Sequence, residues 1–442
     1  MELFGKKIIV VGLGKSGIAA AKLCMAHGAA VLGTDRASAD KVLPEVLGLG
    51  IELRLGGHEG VDFLAADLVV MSPGVPEFQA IQEAEHAGVE VIGELELATY
   101  FATAPILVVG GTNGKSTTVT LLADLLRAFG KRTFLGGNLG TPASELANGV
   151  YDYVALEVSS FQAERVHRLK PKVSVLLNIT DDHLDRYPSF DAYAHAKGNV
   201  FVNQSSEDVA IIPLGDKRCL EQVNRGGARV VTFGFNADYA VHGRSIVETR
   251  TGESFSLEKS SLFGAPNLLN AAAAIAAARA VGVSVQAIAD GLLAFTPLAH
   301  RMCFVTEFRG VRYYDDSKAT NVGAAVTALS GMEEPWTVLI AGGRDKLGSY
   351  APLVRALGKK GRAAIVIGEA KEALKQAIGS VVPVWEAASM HEAVTLAAKA
   401  AEVGDAVLLS PACSSFDMFK SYAERGDCFQ DAIFGLREGK QA

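Results

Sequence analysis

Cysteine is scarce in this sequence: 442 residues hold five, Cys24, Cys219, Cys303, Cys413 and Cys428, scattered, odd in number and nowhere in a C-x-x-C pair. That argues against a disulfide framework, a thiolate zinc site and a dithiol redox motif, and reads as reduced thiols in a cytoplasm. Positive charge is not in excess either. The net charge is −7 and no basic run is interleaved with aromatic residues, so a nucleic-acid surface is not expected. Long apolar runs are missing. IIVVGLG, after two lysines, is too short and too soon broken by glycine for a signal sequence, and the alanine run 271–278 meets Arg279. Both fall far short of the roughly 20 residues a membrane span needs. No short-period repeat or low-complexity tract is visible. What is left is a soluble, globular, cytoplasmic enzyme, expected to be a monomer, with about three domains at roughly 150 residues each.

Strand-like runs alternate with helical patterns along nearly the whole chain, the arrangement of parallel sheets covered by helices, and hence an α/β fold. Three blocks are expected. The first, 1–93, holds KIIVVGLG, AAVLGTD and ADLVVMSPG; the second, 94–298, runs from ILVVGGTNGKST through YVALEVSS and VSVLLNITDDH to an alanine-rich helix. The third, 299–442, holds VRYYDDSKATN, TVLIAGGRDK, AAIVIGE and AVLLSPACSSFD. Residues 230–262 alternate weakly among many polar positions and read as an antiparallel excursion within the second block.

The strongest chemical signal opens the second block. An apolar strand at 106–109 is followed by Gly110, Gly111, Thr112, Asn113, Gly114, Lys115, Ser116 and Thr117, after which Val119, Leu122, Leu125 and Leu126 recur at helical spacing. Glycines let backbone N–H groups close on an anion, and a helix start adds its positive dipole end. Lys115 would then reach the outer phosphates and Ser116 a magnesium ion. The common pattern puts its first glycine six residues before the lysine, where Val109 stands, so this loop is one residue short. ATP is the expected ligand, against the plainer reading of a glycine-rich turn with a surface lysine.

In the first block Gly12, Gly14 and Gly17 follow a strand, and Asp35 ends the next one, which makes a full dinucleotide fingerprint. That fingerprint accounts only for a tight turn and a diphosphate at a helix N-terminus. NAD and another nucleotide diphosphate, such as a UDP-linked substrate, satisfy it equally, so a dehydrogenase or a nucleotide-binding regulator stays open on this block alone. Two strand ends of the second block add Glu157 after YVAL, and Asp181, Asp182 and His183 after VSVLLNI, where open parallel sheets place their ligands. Carboxylate oxygens suit magnesium, and a nitrogen beside them is tolerable where phosphate supplies the other oxygens. Singly, Glu157 could be a partly exposed strand-end acid and His183 an ordinary loop histidine; beside a phosphate loop those alternatives lose most of their weight.

In order along the chain, GGTNGKST, DDHLDR, Ala196-Lys197, NLLNAAAA, His300-Arg301, DDSKATN and SPACSSFDMFKSYAERGDCF resemble the motifs of the Mur ligases over nearly its whole length. The folylpolyglutamate synthetases share the central loop but lack an N-terminal nucleotide block of this kind. The amino-acid motif of the diaminopimelate- or lysine-adding Mur ligases is not seen in the third block. The resemblance implies Rossmann-like first and third domains flanking a central P-loop ATPase-like domain. It also implies the branch that uses ATP to add D-glutamate to UDP-N-acetylmuramoyl-L-alanine in peptidoglycan precursor synthesis.

By the same resemblance, Gly14, Lys15, Ser16, Gly17, Asp35, Arg36, Ser72 and Gly74 hold the UDP end of the substrate, and Asn138 reaches it from the central domain. ATP falls to residues 111–117, to Asn270 at the adenine, to Asp316 at the ribose and to Arg301. D-Glutamate falls to Lys318, Thr320, Lys346, Ser415, Phe416 and Tyr422, ammonium and hydroxyl groups being what two carboxylates need. Lys115, Glu157, His183, Lys197 and Arg301 form the implied catalytic set. Two magnesium ions are implied, one on Ser116 and Glu157 and one on His183 and Lys197. Because an ammonium ion cannot ligate a cation, the resemblance further implies a carbamylated Lys197.

From the residues alone other readings remain: Asn138 as a turn residue, Asn270 as a helix N-cap, Lys197 as a solvated lysine on FDAYAHAKGNVF, Lys318 and Lys346 as surface charges. The chain departs from the family pattern at Pro266, Ala299 and Cys303, which touches the adenine pocket and the entry to the third block. Cys413 has no signalled histidine partner and is expected to be a buried, structural thiol.

Overall fold

The computed structural model describes residues 1–182, 186–345 and 349–437. The chain folds into two compact units. The first comprises Met1–Ile179, His183–Ser256 and Ala271–Leu293, and the second Thr180–Asp182, Leu257–Asn270 and Ala294–Ala442.

The first unit contains two sheets. In one, β1 (Lys7–Val11), β2 (Ala30–Asp35), β3 (Glu52–Leu55), β4 (Leu68–Met71) and β5 (Glu90–Gly93) are all parallel, in the order β3-β2-β1-β4-β5. β4 is buried throughout and β1 in all but Lys7, as expected of strands covered on both faces. Chain direction across the sheet reverses between β1 and β4. Register sets Val11 beside both Thr34 and Met71, so the segments leaving β1, β2 and β4 emerge at one edge. Residues as far apart as Gly12, Asp35 and Ser72 are gathered in this way.

The other sheet of this unit consists of β6 (Ile106–Gly110), β7 (Thr133–Gly137), β8 (Tyr153–Glu157), β9 (Val173–Leu176), β10 (Val209–Pro213), β11 (Arg229–Gly234), β12 (Tyr239–His242), β13 (Ser245–Glu248) and β14 (Glu253–Ser256). Their order is β14-β13-β12-β11-β10-β9-β6-β8-β7, with only β13 and β14 antiparallel to their neighbours. The antiparallel excursion is thus narrower than 230–262, because Val231 and Phe233 of β11 are buried beside β10 in the parallel sheet. β6 lies between β8 and β9, with Val109 opposite Glu157 and Gly110 opposite Leu176.

Two fully buried carboxylates on helix Glu94–Thr99 tie these sheets together. Glu94 accepts the Ser144 N–H at 2.6 Å, and Glu96 accepts those of Arg168 and Leu169 at 2.7 and 3.3 Å. Desolvation pushes the Glu94 carboxyl up to about 7, only partly offset by its bond from Ser144.

The second unit is built on β15 (Cys303–Phe308), β16 (Val311–Asp315), β17 (Thr337–Gly342), β18 (Gly361–Ile367), β19 (Val384–Glu386) and β20 (Ala406–Leu409), in the order β15-β16-β20-β17-β18-β19. All are parallel except the edge strand β15. Alternation along β17 sends Leu339 and Ala341 into one core and Val338 and Ile340 into the other, where Phe429 and Ile433 of helix Tyr422–Arg437 pack. Helix Ala265–Ala280 starts in this unit, with Pro266 as its second residue, where a missing N–H breaks no helical bond; its buried alanine run, from Ala271 on, belongs to the first unit. Among the described residues no helix is long and apolar enough to cross a membrane.

Candidate active site

β6 ends at Gly110 and helix Lys115–Ala128 begins after four intervening residues. Gly111 and Gly114 take φ of +133° and +87°, conformations that glycine adopts without strain. No side chain caps the helix, and a helix start of this kind suits an anion. The loop is pinned from the next strand: the Thr112 N–H donates to the Asn178 carbonyl at 3.0 Å and the Asn113 N–H to Asn178 Oδ1 at 2.9 Å. The Asn178 amide returns a bond to the Asn113 carbonyl at 3.1 Å.

Lys115 folds back over this loop, its ammonium donating to the carbonyls of Gly111 at 3.0 Å and Thr112 at 2.8 Å. Lys197, buried on helix Phe190–Gly198, donates to the same Gly111 carbonyl at 2.8 Å, with its ammonium 4.6 Å from the Tyr193 ring centre. Tyr193 OH pairs with the Thr112 hydroxyl at 3.0 Å. The solvated-lysine reading of Lys197 is therefore wrong: residues 193 and 197, one turn apart, face the loop together.

Across the loop, Glu157 is buried at the end of β8. Its Oε2 accepts the Ser116 hydroxyl at 2.5 Å and its Oε1 the Asn138 amide at 2.6 Å. Asn138 N–H also donates to the Glu157 carbonyl at 2.9 Å, so Asn138 acts on the carboxylate as well as forming a turn. A hydroxyl and a carboxylate beside a phosphate loop are the hard oxygen donors that magnesium takes. Lys197 as an ammonium does not fit a ligand's role. His183 lies outside the described residues.

At the edge of the first sheet, Gly12 has φ +85°, and a Cβ on Gly17 would lie 1.8 Å from the Gly12 carbonyl oxygen, so both glycines serve the tight turn. A Cβ on Gly14 would meet nothing within 4 Å, which leaves open space above the N-terminus of helix Lys15–Ala26. The Asp35 carboxylate accepts from Leu13 N–H at 2.6 Å and Ala37 N–H at 2.8 Å, and the Ser72 hydroxyl donates to the Gly12 carbonyl at 2.6 Å. Asp35 and Ser72 thus brace the loop, while Lys15 and Gly74 flank the open edge. Arg36 lines a groove beside it with Gly56, Gly57, His58 and Phe78.

In the second unit the segments after β16, β17 and β20 converge. Asp315, fully buried, accepts from His300 Nδ1 at 2.7 Å, the Ser317 N–H at 2.9 Å and the Gln430 amide at 2.8 Å. Asp316 accepts the Ser410 hydroxyl at 3.0 Å and the Met302 N–H at 3.2 Å; burial raises it to about 7 against those bonds. The Lys318 ammonium sits 3.9 Å from the Tyr422 ring centre, and Thr320 N–H donates to the Lys318 carbonyl at 2.8 Å. Ser415 is buried, Phe416 largely exposed. Asn270 is the sixth residue of its helix, with its amide 3.3 Å from Asn267 Oδ1, and is therefore no N-cap. Arg301 lies between His300 and Met302, both at positive φ. Cys413 is buried and its thiol is pushed up to about 11, chiefly by desolvation, as expected of an unreactive cysteine. Lys346 lies outside the described residues.

Three groups carry weight that the sequence reading had not assigned. Asn178 and Tyr193 hold the phosphate loop. Arg425, fully buried, donates to Ser317 Oγ at 3.0 Å, to the Ser317 carbonyl at 2.8 Å and to the carbonyls of Cys413 at 3.1 Å and Gly342 at 3.4 Å. One guanidinium therefore ties all three converging segments, and burial lowers it to about 10, still charged at neutral pH. A signal was available: residues 425, 429 and 433 are four apart, and an arginine in an apolar stripe needs a reason.

A phosphate loop facing a buried glutamate, on one of three α/β sheets, defines the class: a nucleotide-dependent P-loop enzyme. The family pattern of the Mur ligase middle domain matches residues 109–278, that of the MurD-like N-terminal domain residues 6–93, and that of the Mur ligase glutamate ligase domain residues 300–413. The chain is 43% identical to the UDP-N-acetylmuramoylalanine–D-glutamate ligase of Desulfosudis oleivorans, covering 100% of this chain and 99% of that one. It is 42% identical to the protein of the same description from Geobacter metallireducens, covering 100% of both. Among solved structures, a pseudomurein peptide ligase type C from Methanothermus fervidus superposes with a TM-score of 0.61 at 18% identity, over 98% of this chain and 100% of that one, a likeness of fold. The chain belongs to the Mur ligase family, the ATP-dependent ligases that join an acid to an amino acid. The dehydrogenase reading of the first block is thereby closed.

Proposed function

We propose that this enzyme joins D-glutamate to the alanyl carboxylate of UDP-N-acetylmuramoyl-L-alanine, in the cytoplasm and as a monomer, within peptidoglycan precursor synthesis. Relatives of that description align over the full length, first block included, and this is the observation that carries the substrate assignment. The division of labour follows the blocks: 1–93 for the UDP end, 94–298 for ATP and 299–442 for D-glutamate.

ATP on the 111–117 loop presents its γ-phosphoryl group. An oxygen of the alanyl carboxylate attacks phosphorus, the bond to ADP breaks, and an acyl phosphate forms. The neutral amine of D-glutamate attacks the acyl carbon; the tetrahedral intermediate loses a proton and expels phosphate, leaving the amide. Two anions must meet in the first step, so Lys115 and Arg301 neutralise the phosphoryl oxygens. Asn138 and Ser116 orient the Glu157 carboxylate. Magnesium, held by Ser116 and Glu157 and by His183 with a carbamylated Lys197, would supply further positive charge to those oxygens.

Carbamylation is supported by the crowding of Lys115 and Lys197 on one carbonyl oxygen. Like charges so placed repel, and a carbamate on Lys197 converts the repulsion into attraction. Asn270 and Asp316 are assigned to adenosine; Lys318, Thr320, Lys346, Ser415, Phe416 and Tyr422 are assigned to D-glutamate. The deciding assay is phosphate release from ATP with UDP-N-acetylmuramoyl-L-alanine plus D- or L-glutamate. Release with the D-isomer alone is expected; release without the UDP substrate, or equal rates with both isomers, would refute the reading.

A further inference from the structure

Outside the residues assigned above, one guanidinium bridges the two sheets of the first unit at the substrate edge. Arg186 Nη1 donates to the Pro73 carbonyl at 3.4 Å and Nη2 to Glu164 Oε2 at 3.2 Å, while its guanidinium carbon lies 4.1 Å from the centre of the Phe161 ring. The other oxygen of Glu164 accepts the Tyr187 hydroxyl, and the Tyr187 ring stacks on Phe161 at 5.9 Å. Arg186 is therefore held by Glu164 and Phe161 on the second sheet's side, and it reaches the turn after β4. The adjacent Ser72 hydroxyl bonds the Gly12 carbonyl, so the connection continues into the 12–17 loop. Pro73 has no N–H, and its carbonyl is the backbone group through which that residue can be held. The cleft alongside is lined by Ser72, Pro73, Glu94, Gln162, Arg165 and Arg186. Arg165 makes a second link between the same blocks, to Glu85 at 2.6 Å and Glu77 at 3.5 Å, but not to the 72–74 turn itself.

We infer that Arg186 is a positioning residue for the sugar-nucleotide substrate: it holds the 72–74 turn at a set distance from the second sheet, and so sets the span the substrate must bridge from the 12–17 loop to the 111–117 loop. This rests on the reading that the first block holds the UDP end. Arginine suits the task because its planar fork serves two acceptors at once, which a lysine ammonium does not do with fixed geometry. The Arg186–Glu164 pair is about a quarter exposed on each side, and ion pairs of that exposure contribute little to stability. Removing the pair should leave the fold standing.

The test is steady-state kinetics on the full-length enzyme, varying each substrate in turn, with thermal melting alongside. Arg186→Ala is expected to raise KM for UDP-N-acetylmuramoyl-L-alanine about tenfold, the worth of one bond to a charged group. KM for ATP and D-glutamate and the melting temperature should stay at wild-type values, with Arg186→Lys intermediate and Glu164→Gln shifting the same constant by a smaller factor. An unchanged KM for the UDP substrate in Arg186→Ala, or a uniform loss in all constants together with a lowered melting temperature, would overturn the inference. Gly14→Ala separates the two levels. If it raises that KM and Arg186→Ala does not, only the role of Arg186 falls; if neither does, the placement of the substrate in the first block falls with it.

Discussion

Gly-Lys-Ser opens a helix twice in this chain, at 14–16 and at 114–116, and the two copies do different things. At the first, the helix N-cap Gly14 is extended, with φ −73° and ψ −170°, and Lys15 is exposed. At the second, Gly114 is left-handed, Lys115 curls onto its own loop, and Ser116 is buried against Glu157. Three residues separate strand from helix in the first copy and four in the second; the Asp35 carboxylate braces the backbone of the first, whereas in the second the Glu157 carboxylate takes the serine hydroxyl itself and Asn178 holds the loop backbone. The tripeptide marks a helix start that can take an anion. Whether it becomes a phosphoryl-transfer loop depends on what the flanking strands bring to it.

The sharpest way to break this comparison is to remove each lysine. Lys115→Ala should keep its circular dichroism spectrum and lose ligation by about 3 to 4 kcal/mol in the transition state, a factor of several hundred. Lys15→Ala should change turnover little. Comparable losses in phosphate release from the two variants would show that the copies do not differ in the way described.

Lys197 comes next. As a carbamate its value lies in an oxygen, so Lys197→Arg should be as inactive as Lys197→Ala, each down by a hundredfold or more on the same scale. Formate or acetate should restore part of the activity to the alanine variant and none to the arginine variant, and bicarbonate depletion should slow the wild type reversibly. An active Lys197→Arg enzyme would make Lys197 an ordinary cation.

Glu94 tests what holds the two copies in one unit. Its folded value of about 7 lies above its ordinary 4.5, so its contribution to stability is fully present below about 4.5 and is lost as pH rises through about 7. A shift of this size corresponds to about 3 kcal/mol at most. Glu94→Gln should flatten the stability curve across that window in urea titrations at pH 5 and pH 8. An unchanged slope would mean that Glu94 is not desolvated as the fold indicates.

The smallest effect expected is at Gly14. A methyl group there meets open space, so Gly14→Ala should melt like the wild type and raise KM for the UDP substrate by roughly five- to tenfold, about 1 kcal/mol of lost diphosphate contact. Gly17→Ala should destabilise the fold instead, by about 1 to 3 kcal/mol, because its methyl would collide with the Gly12 carbonyl. Reversed outcomes in melting and affinity would invert the roles of the two glycines.

Much of this was legible without coordinates. The alternation of strands and helices, the phosphate loop and the fingerprint glycines are local properties: apolar period, and φ values that glycine takes most readily, are written within a few residues of one another. The family motifs then supplied roles for residues such as Lys318 and Asp316 that no spacing rule would have chosen. Asn138 shows the limit. It reads as a turn residue and sits in a turn, yet its amide is spent on Glu157, nineteen residues away.

The sequence by itself determined that two glycine-rich turns would each launch a helix from a buried strand, since that follows from local conformational preference and burial. Only the tertiary structure decided which turn became reactive. The order β8-β6-β9 sets Glu157 opposite Val109 and brings Asn178 to the loop, and this order is fixed by helices packing over the sheet. Helix Phe190–Gly198 then delivers Lys197 and Tyr193 to the same carbonyl and hydroxyl. In the second unit, Arg425 was visible only as one charge in an apolar stripe. Its purpose emerged when three strand ends met around it, because a buried guanidinium needs several acceptors and no local segment of chain supplies them all.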